Sequence, residues 1–182
     1  MLEIAIPGSD TLSLDHLVAD FNGTLAVDGA LLPGVADALR NLASRLTLHV
    51  VTADTFGRAH DALAGLPVTL RVLSGGPHDV AKRRYAEQLG AQRCVAIGNG
   101  RNDRLLLAAA ALGIAVVQGE GAAAQTLMAA DAVVPDIGTG LGLLLYPARL
   151  VATLRVGGTP HVLLDPGRPT SSCRHLSAHR RS

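Results

Sequence analysis

Aromatic residues are almost missing from this chain, which has no Trp, two Phe and two Tyr in 182 residues. Proteins that stack bases need aromatic platforms, so single-stranded nucleic acid is excluded as an expected partner. A formal net charge of +1 adds no basic footprint for nucleic acid of any kind. Cysteine is scarce as well: Cys94 sits inside an apolar run and Cys173 near the end, a pattern that makes neither a disulfide framework nor metal-ligand spacing. That usage suits a reducing compartment. Long apolar runs are also lacking. The longest, LLLAAAALGIAVV at residues 105–117, falls short of the ~18 residues of a membrane span and is broken by Gly113. The opening MLEIAIPGSD has no basic start and no extended apolar stretch of the signal-peptide kind. The expectation is a cytoplasmic protein with neither membrane nor nucleic-acid partner. Lysine is the last scarcity, since Lys82 stands alone against fifteen Arg.

What is present is aliphatic. Hydrophobic residues make up 48% of the chain, enough for one domain of ordinary size with a substantial core. Short β-rich apolar runs (HLVAD, LTLHVVT, VTLRVL, RCVAIG, GIAVV, DAVV) alternate with helical stretches (GVADALRNLASR, FGRAHDALAGL, DVAKRRYAEQLG, NDRLLLAAAAL). That alternation is the pattern of βαβ units and a parallel sheet, here a three-layer doubly wound α/β arrangement. Residues 1–14 read as an extra strand or hairpin with Pro7-Gly8 as its turn. One domain is expected over residues 1–155. From 156 to 182 Gly, Pro and Ser recur and four Arg face the lone Asp165, the composition of a flexible tail.

In an open α/β sheet ligands bind outside the carboxyl ends of the strands, so polar residues that end apolar strands are the ones to collect. Asp20 ends the first, in VADFNGTL; Thr52 ends the second, in HVVTAD; Asn99 and Asp103 follow the fourth, in GNGRND. Each has a plainer reading beside it. Asn22-Gly23 is a strong hairpin signal, Thr52 could cap the next helix, GNGRND could be a glycine turn, and Lys82 could be a solvated cation beside Arg83 and Arg84. The chemical readings are that Thr52, with the N–H groups of Ala53 and Asp54, holds phosphate oxygens, and that Lys82 supplies a compact point charge to a phosphoryl group.

Taken in order, Asp, Thr, Lys and Asn/Asp at these spacings resemble the haloacid dehalogenase (HAD) superfamily of phosphotransferases, over roughly residues 16–135. Within it the motifs are most similar to the phosphorylation domain of P-type ATPases. DFNGT at 20–24 resembles DKTGT, TAD at 52–54 resembles TGD, and GNGRND with the following GIAV resembles GDGxND with its GIA strand. About thirty residues separate Asp20 from Thr52, and the interval from Thr52 to Lys82 is as short. No ATP-binding domain and no cap domain fits in either, which leaves an open, capless site suited to a macromolecular substrate or to a homo-oligomer whose neighbours supply the lid.

The resemblance implies that Asp20 attacks phosphorus to form an aspartyl phosphate. It also implies Mg²⁺ on Asp20 and the Asn22 carbonyl, with Asn99 and Asp103 completing the metal site, while Thr52, Ala53 and Lys82 hold the phosphate. Two positions depart from it. Most phosphatases of the superfamily place a second Asp two residues after the nucleophile, and Asn22 cannot exchange a proton there, a loss of ~10²–10⁴ in rate. Asn99 replaces a further Asp and removes a negative charge beside the metal. Two readings follow: a slow Mg²⁺-dependent phosphohydrolase acting on a phosphorylated small molecule or phosphoprotein, or a catalytically degenerate module that binds a phosphate or phosphoprotein without turnover.

Overall fold

The computed structural model describes residues 1–54 and 57–157. Strands form where the apolar runs stand. β1 (Leu2–Ile4) and β2 (Leu12–Leu14) pair as an antiparallel hairpin, followed by β3 (His16–Ala19). A two-stranded hairpin, β4 (Ala26–Val27) and β5 (Ala30–Leu31), precedes α1 (Val35–Leu42). Next come β6 (Thr47–Thr52), α2 (Ala59–Ala62), β7 (Val68–Val72), α3 (His78–Leu89), β8 (Cys94–Gly98) and α4 (Arg104–Ala109). The described chain closes with β9 (Leu112–Val116), α5 (Ala124–Met128), β10 (Ala132–Val134), α6 (Ile137–Leu145) and α7 (Pro147–Leu154).

Six strands build one sheet in the order β10-β9-β8-β3-β6-β7, every neighbouring pair parallel. Chain order therefore reverses between β3 and β8, which is where a doubly wound sheet opens a crevice at its carboxyl edge. Successive side chains on each strand face opposite layers. Leu17, Leu48, Val95, Ile97 and Ile114 pack on one face beneath α1, α6 and α7, together with Leu2, Ile4 and Leu14 of the first hairpin. Val18, Val51, Cys94, Ala96 and Ala115 pack on the other beneath α3 and α4, against Ala86, Leu106 and Leu107. Burial on both faces explains why β8 and β9 read as unbroken apolar runs. Among the described residues no single helix is long and apolar enough to cross a membrane, and α6 and α7 meet at a bend of 102°.

Several local readings are corrected. The alternative reading of Asn22-Gly23 as a hairpin turn gives way to one around Asp28-Gly29, whose φ values of 51° and 78° are the pair a two-residue hairpin turn requires. The helix expected over FGRAHDALAGL shrinks to α2, because the Gly57 and Gly65 backbones, at φ 62° and 72°, lie outside helical space. NDRLLLAAAAL begins as a 3₁₀ turn, Arg101–Asp103, before α4. α5, α6 and α7 are additional to the helices expected. The strand pair and turn expected in residues 1–14 are present. Most of the expected tail, from residue 158 onward, lies outside the described residues.

Candidate active site

Asp20 is the first residue beyond β3, and its N–H donates to the Ile97 carbonyl of β8 at 2.9 Å, pinning it at the switch point. The chain then turns tightly: the N–H groups of Thr24, Leu25 and Ala26 converge on the Phe21 carbonyl at 3.3, 2.9 and 2.9 Å. Phe21 is fully buried and anchors this turn in the core. Gly23 sits at φ 75° with the Asn99 amide where a side chain would begin, so no other residue fits there without displacing Asn99.

Lys82 reaches the same point from α3. Lys82 and Ala86, one helical turn apart, form the buried stripe of that helix. The Lys82 ammonium donates to Asp20 Oδ1 at 2.6 Å and to Asp103 Oδ1 at 2.6 Å. It is 0% exposed, which excludes the solvated-cation reading. Asp103 is oriented from its other oxygen, since Oδ2 accepts from the N–H groups of Asn99 at 3.1 Å and Gly100 at 2.9 Å. GNGRND is therefore a glycine turn folded around its own carboxylate and aimed at Lys82.

Two carboxylates share one ammonium here. Burial and the nearby Asp103 carboxylate push the Asp20 carboxyl up to about 7, against the opposing pull of Lys82. Burial disfavours the Lys82 ammonium too, yet the Asp20 and Asp103 carboxylates outweigh it and hold Lys82 above the ordinary lysine range. The buried cluster is short of positive charge.

Thr52 ends β6, the neighbour of β3, and is buried at the same sheet edge as Asp20. Its hydroxyl oxygen accepts from the Asp54 N–H at 2.9 Å, leaving the hydroxyl proton free to donate outward. That bond also corrects the phosphate cradle expected from sequence, because it engages the Asp54 N–H and leaves Ala53's for a ligand. Capping of α2 falls to Asp54, whose Oδ1 accepts from the N–H groups of Arg58 and Ala59 at 3.0 and 3.1 Å, so Thr52 is no helix cap. Among the described residues Thr52 makes no hydrogen bond to Asp20, Lys82 or Asp103.

Asn99 is 7% exposed and held at both ends. Its Oδ1 accepts from the Thr24 hydroxyl at 3.1 Å and its Nδ2 donates to the Gly121 carbonyl at 2.9 Å. A carbonyl oxygen can only accept, so Gly121 demands an amide at this position. Asn22 differs, for its side-chain Oδ1 is buried with no hydrogen-bond partner. The sequence reading missed Gln118 and Thr24, both joined to this turn. Only the position of Gln118, directly after the GIAVV strand, could have flagged it.

A divalent cation suits this donor set. Mg²⁺ takes hard oxygen ligands, needs only one or two carboxylates and keeps several waters. Asp20 and Asp103 supply such oxygens, two carboxylates sharing one ammonium.

No family model matches the chain. In structure it is similar to 3-deoxy-D-manno-octulosonate 8-phosphate phosphatase from Moraxella catarrhalis, determined with magnesium ion, phosphate ion and KDO, at TM-score 0.62 and 17% identity, covering 78% of this chain and 94% of that one. It is similar also to the cobalt-bound deoxy-D-mannose-octulosonate 8-phosphate phosphatase from Haemophilus influenzae, at TM-score 0.60 and 16% identity over 73% and 88% of the two chains. The fold is thus that of the HAD superfamily phosphatases. At such identities the likeness fixes the architecture alone. In sequence the chain is 45% identical over 84 residues to the uncharacterized protein MJ0073 of Methanocaldococcus jannaschii, spanning 44% of this chain and 90% of that protein, and it belongs to that protein's family.

Proposed function

We propose that this chain is a Mg²⁺-dependent phosphohydrolase in which Asp20 is the nucleophile and Asn22 keeps turnover slow. The observation that carries the reading is Lys82 donating at 2.6 Å to both Asp20 and Asp103, fully buried, at the switch point of the sheet. A structural ion pair has no need of that edge, whereas a phosphoryl group requires a fixed cation beside a carboxylate there.

Asp20 attacks phosphorus through its carboxylate, the P–O bond to the leaving alcohol breaks, and an aspartyl phosphate forms. Lys82 and the Thr52 hydroxyl hold the remaining phosphoryl oxygens, with the Ala53 N–H at the same edge. Asp20, the Asn22 carbonyl, Asn99 through its second lone pair, and Asp103 are the residues that would hold Mg²⁺, which offsets phosphoryl charge when bound. Asn22 can donate no proton to the departing oxygen and take none from water, so leaving groups that need no acid are favoured and the phosphoenzyme is long-lived. Only Asp28-Gly29 joins β4 to β5, and Leu73–Pro77 joins β7 to α3, two short connections that support an open, capless site. This openness suits a phosphorylated small molecule or a phosphoprotein in the cytoplasm.

Asn22 also motivates the second reading, a module that binds a phosphate or phosphoprotein without turnover. Hydrolysis of acetyl phosphate and para-nitrophenyl phosphate, with and without Mg²⁺, separates the two on protein verified by mass to be free of deamidation. Mg²⁺-dependent turnover that vanishes in Asp20→Asn is expected. Equal turnover in Asp20→Asn would overturn the mechanism, and silence in the wild type would favour the binding module.

A further inference from the structure

The turn that carries Asp20 spends its N–H groups inward, on Phe21 and Ala26, which leaves the carbonyls of Gly23 and Thr24 facing away from it. Neither accepts a backbone hydrogen bond among the described residues. Buried carbonyls without donors are costly, and a turn with two of them would be free to re-aim its peptide planes. One side chain meets both. Gln118 Nε2 donates to Gly23 O at 3.1 Å and to Thr24 O at 2.7 Å. Its Oε1 accepts from the Ile137 N–H at 2.9 Å, one of the N–H groups that a helix start leaves without an intrahelical partner.

We infer that Gln118 is a positioning residue for the nucleophile turn. It stands two residues beyond β9, on the same sheet edge as Asp20 and Asn99, and ties the turn to the start of α6 with both amide hydrogens and its oxygen engaged. α6 is a rigid support, with Ile137, Leu141 and Leu144 buried in the core. Asn99 provides a second tie, through Thr24 and Gly121, and Gly121 lies three residues past Gln118. The Gln118–Gly121 segment therefore grips the turn directly at the Gly23 and Thr24 carbonyls and, through Asn99, at the Thr24 hydroxyl. The Asn22 carbonyl shares its peptide plane with the Gly23 N–H, which donates to Ala26 O at 2.7 Å, and Gln118 holds the two planes that follow it. The residue acts through the backbone and touches no reacting atom.

No shorter or ionised side chain can substitute. Glu offers no hydrogen to either carbonyl and would place a carboxylate against two oxygens. Met preserves length and volume but donates nothing. The inference rests on the proposed metal-assisted reading only where it concerns the metal; the grip on the turn stands apart from it.

The test compares Gln118→Met with wild type and with Asp131→Ala. Asp131 accepts from the Gly113 N–H at 2.7 Å at the opposite end of β9, so its loss breaks a comparable side-chain tie remote from the site. Two readouts are taken: Mn²⁺ affinity followed by electron paramagnetic resonance, and amide hydrogen exchange of residues 21–26 without metal. In Gln118→Met we expect Mn²⁺ affinity to fall about 10- to 100-fold, the range carried by residues that orient ligands, and exchange to rise in residues 21–26. Asp131→Ala is expected to lose thermal stability with Mn²⁺ affinity unchanged. Unaltered affinity and exchange in a folded Gln118→Met would overturn the positioning role. If the wild type bound no Mn²⁺, the functional reading would fail, and exchange in residues 21–26 alone would then uphold or overturn the grip. Should Gln118→Met not fold, Gln118→Glu is measured by the same two readouts and decided by the same outcomes.

Discussion

Lys82 and Asp103 meet at 2.6 Å with neither side chain exposed, and Asp20 takes a second bond from the same ammonium. The three groups come from a helix, a loop and a strand end that are distant in sequence. Only the doubly wound order of the sheet brings them together.

Replacing Lys82 with Met removes the shared cation and leaves two carboxylates facing each other out of water. Breaking a buried pair in this way costs about 3–5 kcal/mol. The urea midpoint of Lys82→Met should fall accordingly. An unchanged midpoint would mean that the cluster is wetter than its burial indicates.

Stability should depend on pH through Asp20. Its carboxyl is raised to about 7 in the folded protein, from 3.8. The folded state therefore holds a proton that the unfolded chain has released, and the stability tied to it is fully present below 3.8 and lost as pH climbs through 7. Metal-free Asp20→Asn, which cannot ionise, should melt above wild type at pH 8, and the gap should narrow as pH falls toward 3.8. If Mg²⁺ binds at Asp20 it must displace the same proton, so titration calorimetry near pH 7 in buffers of different ionisation enthalpy should show net proton release.

Asn99 is expected to behave as a tie rather than as a lost aspartate. Asn99→Asp puts an acceptor against the Gly121 carbonyl and should destabilise the protein by about 1–3 kcal/mol in denaturant melts. A more stable Asn99→Asp would show that the amide donor is dispensable.

Asn22 and Asn99 both precede Gly, the least hindered context for backbone attack on a side-chain amide. Asn99 is immobilised at both ends and Asn22 is not, so ageing should deamidate Asn22 first. Peptide mass mapping over days at pH 8 checks the order. The cyclic imide opens to isoaspartate as well as aspartate, and only the aspartate restores acid–base help, so turnover should rise with the aspartate share of the deamidated fraction.

The parallel sheet was legible because strands buried on both faces carry continuous apolar runs, as in HLVAD and RCVAIG, and the strand ends were legible because Asp20, Thr52 and Asn99 each interrupt such a run. α5, α6 and α7 were not. α6, IGTGLGLLL, is apolar nearly all round with three glycines, so it shows no amphipathic period. The plainer hairpin reading of Asn22-Gly23 does not hold: Gly23 sits against the Asn99 amide in a compact turn, and the hairpin forms at Asp28-Gly29. Gln118 left almost no trace, since a lone glutamine declares nothing until the carbonyls it serves are located.

Covalent capture tests the central claim most directly. The protein, verified by mass at Asn22 and Asn99, is mixed with acetyl phosphate and Mg²⁺, quenched in acid, and mapped by peptide mass beside Asp20→Asn and Asn22→Asp. The account expects one phosphoryl group on the peptide containing Asp20, absent from Asp20→Asn and shorter-lived in Asn22→Asp by about 10²-fold or more. Turnover without any adduct, or an adduct that persists in Asp20→Asn, would contradict it.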